Sequence, residues 1–266
     1  MLPTKDFFKD YAKKVNIPFQ ERSILREYLQ TQILRELSLS DYNDQISFLG
    51  GTSLRFGYHI NRFSEDLDFD LIKKDGFSID SLGEELFKKI TLKGFKVDIK
   101  VKTTKNIFII YFKFREVLKE FNLSMMDDQK LSIKFEIDFD PYKNIKTNMI
   151  FVDNFNERFP LLFNTIDTIF AQKILALFHR PYQKGRDFYD LIWFMAQRDL
   201  EPRYAILQEK GHEIKNKEEL VVKIKKVISN LDLKKASKDV EPFLFYPDQA
   251  KWILDFEKYL DDFLKR

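Results

Sequence analysis

The chain has 266 residues, which is enough for one large domain or two modest ones. Hydrophobic residues make up 44% and charged residues 33%, so the composition is that of a globular protein with ample material for a core. With no cysteine and three histidines, the sequence excludes disulfides, thiolate metal sites, cysteine nucleophiles and an HExxH zinc site.

The beginning of the chain, MLPTKDFFKDYAKK, has no apolar run followed by a cleavage site, so we expect no signal peptide. No stretch approaches the roughly 18 apolar residues that a membrane helix requires. We therefore expect a soluble, cytoplasmic protein that does not enter the membrane.

The apolar residues of segment 21–38 recur at helical spacing, which predicts a helix. Next, ISFLGG is typical of a short buried strand that ends at a glycine turn, and TSLRFGY of a short helix. Strict alternation makes DLDFDL a strand, and Leu82, Leu86 and Ile90 suit a helix. Three more strands follow in KVDIKVK, NIFIIYFKF and LSIKFEIDF.

From Asn164 onward the pattern becomes helical, beginning with NTIDTIFAQKILALFHR and DFYDLIWFMAQ. The whole pattern predicts an α+β protein with two domains. Residues 1–155 would form a mixed β-sheet flanked by helices, and residues 156–266 an α-helical domain.

Three acids alternate with apolar residues in the DLDFDL strand, namely Asp66, Asp68 and Asp70. Because residues i, i+2 and i+4 of a strand share a face, the three carboxylates project together. Neighbouring carboxylates repel unless a cation lies between them, and Mg²⁺ prefers such oxygen ligands together with substrate phosphates. The alternative is an edge strand with a solvated face.

Upstream of these acids lies the strand-to-helix turn formed by Gly50, Gly51, Thr52 and Ser53. Glycines let backbone N–H groups approach an anion, and a helix N-terminus favours phosphate. The turn has neither the lysine of a Walker A loop nor the pattern of a GxSxG elbow. The alternative is a tight turn in which Thr52 caps the helix.

A second acid pair, Glu136 and Asp138, shares one face of the LSIKFEIDF strand. If this strand lay beside DLDFDL, three carboxylates could surround a metal pair of the kind that clamps both oxygens in phosphoryl transfer. The alternative is again a solvated strand face.

Lys173 lies within the apolar stripe of its predicted helix, four residues from both Ile169 and Leu177. A buried unpaired ammonium is costly, so this face would line a cleft in which the lysine meets a charged ligand such as a triphosphate. The alternative is a lysine that extends its amine to the surface.

Two acids follow in RDFYDL, Asp187 and Asp190, and their spacing also suits a plain capping arrangement.

Further on, residues 209–238 carry nine lysines against five acids, a local charge of +4. That segment is either a solvated helix face or a surface that binds nucleic-acid phosphates.

The motifs GGTSL, RFSEDLDF, KFEI, AQKILALFHR and GRDFYDL, in this order from Gly50 to Leu191, resemble those of the AbiEii toxin family. These proteins are nucleotidyltransferases of the DNA polymerase β-like superfamily. The resemblance implies that the predicted sheet domain is the nucleotidyltransferase domain. The interval between the glycine turn and Asp66 is longer than in much of the superfamily, which leaves the nucleotide preference open.

The resemblance also implies roles for individual residues. Those implied to bind the nucleoside triphosphate are Gly50, Gly51, Thr52, Ser53, Ser64 and Lys173. Those implied to bind two Mg²⁺ ions are Asp66, Asp68 and Glu136, with Asp138 as the alternative third acid. Asp190 is the first choice for the catalytic acid of the last motif, with Asp187 as the alternative.

The activity implied is Mg²⁺-dependent transfer of a nucleotide from an NTP to an acceptor hydroxyl. RNA, and tRNA first, is the expected acceptor, and a toxin–antitoxin or phage-defence role implies a cognate antitoxin. Two alternatives stay open. One is the same chemistry on a protein or small molecule, and the other is a non-catalytic nucleic-acid-binding module.

Overall fold

The computed structural model describes residues 2–126, 129–180, 182 and 184–266. The chain divides into two compact units. The first contains the residues up to His59, then Phe63–Pro141 and Thr147–Phe163. The second contains Ile60–Arg62, Tyr142–Lys146 and Asn164–Arg266.

The first unit is built on a seven-stranded sheet with helices alongside. Its strands are β1 (Ile46–Leu49), β2 (Leu67–Leu71), β3 (Val97–Thr103), β4 (Ile107–Phe114), β5 (Leu131–Asp138), β6 (Thr147–Asn154) and β7 (Glu157–Asn164). Its helices are α1 (Lys5–Lys14), α2 (Glu21–Ser38), α3 (Gly50–Tyr58), α4 (Ile79–Leu92) and α5 (Val117–Glu120).

The strand order is β3-β4-β5-β2-β1-β7-β6, which makes the sheet mixed. Strand β1 pairs antiparallel with β2 and parallel with β7. Strand β2 pairs parallel with β5, and β4 pairs antiparallel with both β5 and β3. This order puts the two acid-bearing strands, β2 and β5, side by side.

Phenylalanines on one face of the sheet form the centre of the core. The Phe48 ring stacks on Phe69 with centroids 5.0 Å apart, and Phe69 stacks on Phe135 at 4.4 Å. All three are buried, and each contributes roughly 1.5–3 kcal/mol by leaving water. Because side chains alternate along a strand, the residues between these phenylalanines lie on the opposite face.

The predicted strands and the helix over residues 21–38 are confirmed. The short helix after β1 starts at Gly50 rather than Thr52, because the glycine pair forms its first turn. The β6–β7 hairpin was not predicted, and it spans the predicted boundary at residues 155 and 156. Strand β6 lies at the sheet edge and only one of its residues is buried, so its sequence carries no alternation between apolar and polar residues.

The second unit is helical. Its helices are α6 (Ile166–His179), α7 (Gly185–Ala196), α8 (Tyr204–Glu209), α9 (Lys217–Ile228), α10 (Leu233–Val240) and α11 (Phe256–Lys265), with 3₁₀ turns at Glu241–Phe243 and Pro247–Asp255. Helices α7 and α10 approach closely at Gly185, where a Cβ atom would lie 2.0 Å from the Ala236 carbonyl oxygen. Across the described ranges, none of the helices combines the length and apolar character needed to cross a bilayer.

Candidate active site

Gly50 joins β1 to α3 and lies directly against an acid of β2. Its φ is +79°, a conformation that residues with a side chain rarely adopt. A Cβ atom here would lie 2.3 Å from Oδ2 of Asp68. The contact follows from the strand register, because Leu49 is the partner of Asp68 in the β1–β2 pair. The Asp68 carboxylate therefore lies at the N-terminus of α3.

The hydroxyl groups of the glycine turn bind backbone carbonyls. Thr52 Oγ1 donates to the Asp66 carbonyl, and Ser53 Oγ donates to the Gly50 carbonyl at 2.9 Å. Both side chains are fully buried. The interpretation of Thr52 as the helix cap is wrong, since Leu49 holds that position and Thr52 lies inside α3. These two hydroxyls hold the turn in shape, so only the first-turn N–H groups of α3 would be left to meet an anion.

The three acids in and directly before β2, namely Asp66, Asp68 and Asp70, do not have equivalent surroundings. Asp68 is the partner of Glu136 in the β2–β5 pair, and both are partly exposed. Asp66, which precedes β2, is also partly exposed, whereas Asp70 is only 3% exposed. Asp138 is the partner of Asp70 and accepts the Asp140 backbone N–H. Strand register thus brings together Asp68 and Glu136, with Asp66 two residues away on the same face.

A lysine missed by the sequence analysis lies among these acids. Lys134 Nζ is 2.7 Å from Oε1 of Glu136, two residues along β5. Burial lowers the pKa of Lys134, but the bond to Glu136 and the charges of Glu136 and Asp66 outweigh it and raise the pKa. The signal in the sequence was the i, i+2 spacing in KFE, which places lysine and acid on one strand face.

The carboxylates are chemically suited to Mg²⁺, because hard oxygen ligands are what this ion prefers. In the described ranges, however, no three acidic, histidine or cysteine side chains are grouped so that they could hold a metal ion. Glu136 instead forms an ion pair with the ammonium of Lys134. The acids therefore have the oxygen donors that a divalent ion prefers. To bind such an ion, Glu136 would have to give up its ion pair with Lys134.

The loop that leads into β2 is held by two residues of α2 that the sequence analysis also missed. The fully buried Gln30 donates to the carbonyls of Ser64, at 3.3 Å, and Glu65, at 2.9 Å. Arg26 pairs with the Glu65 side chain. Ser64 is nearly buried, and these bonds fix the backbone just before Asp66. No sequence motif marks Gln30, because it belongs to an ordinary helical pattern.

In the second unit, Lys173 of α6 is held between two acids of α7. Its Nζ lies 3.1 Å from Asp187 Oδ1 and 2.7 Å from Asp190 Oδ2. Only 12% of the side chain is exposed, so the alternative in which the amine reaches the surface is wrong. The lysine lies in the apolar stripe because these two carboxylates balance its charge.

Asp190 is the centre of this ion-pair cluster. It is fully buried and accepts two bonds from Arg62, from Nε at 2.6 Å and from Nη2 at 2.7 Å. Burial raises the pKa of Asp190, but Arg62 and Lys173 outweigh it and hold the pKa below its usual range. Asp187 pairs with Arg180 as well as with Lys173.

The capping interpretation of Asp187 and Asp190 is wrong. Helix α7 starts at Gly185 and has Lys184 at its N-cap position, so Asp187 lies inside the first turn and Asp190 beyond it. Both acids face α6 and Arg62 through the ion pairs described above. Their spacing therefore serves the buried cluster and not the end of the helix.

The lysine-rich segment 209–238 carries charges of both signs on its surface. Lys225 pairs with Asp261 at 2.6 Å. Lys223 and Lys226 line a cavity of about 480 Å³, together with Glu213 and Glu219. Acids thus accompany the basic residues on this side of the second unit.

Comparison with known proteins agrees with the motifs. The family model described as "Nucleotidyl transferase AbiEii toxin, Type IV TA system" matches residues 32–264. None of the curated proteins matches the chain significantly.

Two solved structures from Helicobacter pylori are similar in fold. JHP933 has a TM-score of 0.60 and 20% identity over 93% of this chain and 94% of its own. A second chain, provisionally named a nucleotidyltransferase, has a TM-score of 0.58 and 20% identity over 93% of this chain and 96% of its own. At this level of identity they show the fold alone. The family model, by contrast, spans most of the sequence, and this chain therefore belongs to the AbiEii toxin family and is a nucleotidyltransferase.

Proposed function

We propose that the protein transfers a nucleoside monophosphate from an NTP to a hydroxyl of RNA, with tRNA as the first choice, in a Mg²⁺-dependent reaction. In the cell it would act as the toxin of a toxin–antitoxin or phage-defence system and meet a cognate antitoxin. One observation carries the catalytic part, namely the Asp68 carboxylate lying against Gly50 at the start of α3 and beside Glu136.

Each part of this site has a defined task in the proposal. The free N–H groups at the start of α3, those of Gly50, Gly51 and Thr52, bind triphosphate oxygens, because a helix N-terminus attracts anions. Asp66 and Asp68 hold the divalent ions, which would neutralise charge on the phosphates and orient them. Glu136 completes the metal site or accepts the proton of the attacking hydroxyl.

In the second unit, we propose that Asp187 and Asp190 position Lys173 and do not touch the reacting atoms. A lysine ammonium has three N–H donors, and these two acids accept from two of them. The contact of Lys173 with the nucleotide remains the prediction that the resemblance implies. Titration of the Lys173→Ala variant with a non-hydrolysable NTP tests it, and an unchanged affinity would contradict it.

The activity is tested by incubating the purified protein with total RNA, Mg²⁺ and an NTP labelled on either the α- or the γ-phosphate. Nucleotide transfer puts the α label, and not the γ label, into RNA. Asp68→Asn should lower the rate at least about 10²-fold, the size of effect expected when a charge-stabilising group is lost. Asp138→Asn is the matched control on the neighbouring strand, and it should retain activity while Glu136→Gln loses it.

The outcomes separate the proposal from its rivals. Label in the protein fraction alone would point to protein modification, and γ label in RNA would point to phosphoryl transfer. Full transfer by Asp68→Asn, with circular dichroism showing a folded protein, would contradict the assignment of the site. Transfer that persists in EDTA would contradict the metal requirement.

A further inference from the structure

The face of the sheet that carries the catalytic acids continues as a row of lysines. In the β3–β4 pair Lys100 is the partner of Tyr111, and in the β4–β5 pair Tyr111 is the partner of Lys134. Because paired residues of neighbouring strands share a face, these three side chains lie in one row across the sheet. Glu136 lies two residues beyond Lys134, so the row adjoins the acids.

A second lysine of β3 lies alongside, since Lys102 is two residues from Lys100 on the same face. Both lysines are exposed. Lys102 Nζ lies 5.8 Å from the centroid of the Tyr111 ring, within the range of a cation–π contact. On β4, Lys113 extends the same face two residues from Tyr111. We call Lys100, Lys102, Tyr111 and Lys113 the lysine face.

The acid beside the lysine face, Asp98, forms its ion pairs with two cations outside that face. Asp98, the β3 partner of Lys113, pairs with Lys130 at 2.8 Å and with Arg115 at 3.6 Å. The pKa of Asp98 is lowered, with the bond from Lys130 as the main cause. The outer strands therefore present positive charge next to a negatively charged catalytic site.

This geometry suits the acceptor better than the nucleotide. Strands lie roughly 4.8 Å apart, so Lys100 lies about 10 Å across the sheet from Glu136, two strands away, and about 14 Å from Asp68, three strands away. A single triphosphate bound at α3 and the acids would not need charge so far away. An RNA strand that presents its hydroxyl to the acids continues outward, and its phosphates are spaced along that distance.

We infer that the lysine face binds the phosphate backbone of the RNA acceptor and leads its end to Asp68 and Glu136. The inference rests on the proposed function and gives the acceptor its binding surface. It favours the lysine face over segment 209–238, the other candidate surface for nucleic-acid phosphates, because acids accompany the lysines of that segment. Exposed lysines around an aromatic ring are a common arrangement for single-stranded nucleic acid.

The test measures binding of fluorescently labelled total tRNA at several salt concentrations. The test variant is Lys100→Ala/Lys102→Ala/Lys113→Ala, which spares Lys134 because that residue belongs to the catalytic site. The matched control removes three exposed lysines from helices of the same unit, Lys13, Lys14 and Lys88. Both variants change the net charge equally, so general electrostatic effects cancel.

The expected effect follows from counterion release. Each single-strand phosphate contact contributes about −0.7 to the slope of log K against log salt. Losing three contacts should make the slope shallower by about 2 and weaken binding by roughly 10² at 0.1 M salt. The control should keep nearly the wild-type slope, and both variants should bind a non-hydrolysable NTP as the wild type does.

Other outcomes overturn the inference. If the test and control variants have the same slope, the lysine face does not bind RNA. A slope that is flattened by Lys223→Ala/Lys226→Ala, and not by the test variant, would move the contact to segment 209–238. Absence of tRNA binding at any salt would also refute it. If tRNA binds through these lysines but no label is transferred, the lysine face stands as an RNA-binding surface and the proposed activity fails.

Discussion

Asp190 offers the sharpest test of the ion-pair cluster in the second unit. Arg62 and Asp190 are 1% and 0% exposed, and two bonds of 2.6 and 2.7 Å join them. Asp190→Asn keeps the shape of the side chain and removes its charge. In the variant, the buried Arg62 guanidinium no longer faces the Asp190 carboxylate. Of the two acids that pair with Lys173, only Asp187 keeps its charge.

The expected cost is large because a buried charge loses its counterion. Breaking a buried pair by removing one partner costs about 3–5 kcal/mol. Set against a total stability of about 5–15 kcal/mol, that is a large fraction of the free energy of unfolding. Replacing both partners, as in Arg62→Met/Asp190→Leu, should recover most of the loss, since an apolar pair needs no compensation.

The pH dependence has a definite sign. The pKa of Asp190 is lowered in the folded protein, against the burial that would raise it, by Arg62 and Lys173. A carboxyl with a lowered folded pKa stabilises the protein above its unfolded pKa of about 3.9, and the stabilisation is lost as the pH falls through the folded value. The wild type should therefore lose its advantage over Asp190→Asn only below about pH 4.

Urea unfolding followed by tryptophan fluorescence reports on the correct unit. The chain has two tryptophans, Trp193 and Trp252, and both belong to the second unit. Asp248→Asn is the control, because the Asp248 side chain is 94% exposed and its loss should cost less than about 0.5 kcal/mol. If Asp190→Asn lies within about 1 kcal/mol of the wild type at pH 7, the reasoning about the buried pair is refuted.

Two further predictions concern the first unit. Gly50→Ala should abolish most transfer, because the added methyl group would displace the Asp68 carboxylate. Gly76→Ala has a similar φ of +70° with no atom within 4 Å, so it should cost only about 1–2 kcal/mol of strain and leave the rate unchanged. Equal transfer rates in the two variants would show that the close approach of residue 50 to the Asp68 carboxylate does not affect the reaction. Lys134→Ala should tighten the binding of Mg²⁺ or Mn²⁺ several-fold, because Glu136 loses the ammonium that competes with the ion. Calorimetric titration measures this affinity, and weaker binding would contradict the competition of Lys134 and the metal ion for Glu136.

Local patterns were enough to predict much of the first unit. Period-2 alternation located β2 and β5 and assigned the acids to one face, because that face follows from strand geometry alone. The pattern could not say that β2 and β5 are neighbours, since strand order depends on contacts far apart in sequence. The sequence could state the pairing of Asp68 with Glu136 only as a condition, whereas the structure shows it in the register of β2 and β5.

The residues that the sequence analysis missed or misread act through partners distant in the chain. Gln30 binds the loop at Ser64, 34 residues away, and nothing in its own helix indicates this. The spacing of Asp190 left a capping role open beside the catalytic one, whereas the structure pairs it with Arg62, 128 residues earlier. Local spacing cannot distinguish a helix cap from a buried counterion, because both place acids near the start of a helix.

The long interval between the glycine turn and the acids also has a structural reason. Because Leu49 pairs with Asp68 in antiparallel strands, Gly50 meets Asp68 however long the intervening segment is. The segment contains α3 and then residues 60–62, which belong to the second unit. There Arg62 forms a β-bridge with Leu244 as well as the buried pair with Asp190. The extra length thus supplies a buried arginine to the helical unit, while the strand register alone holds Gly50 against Asp68.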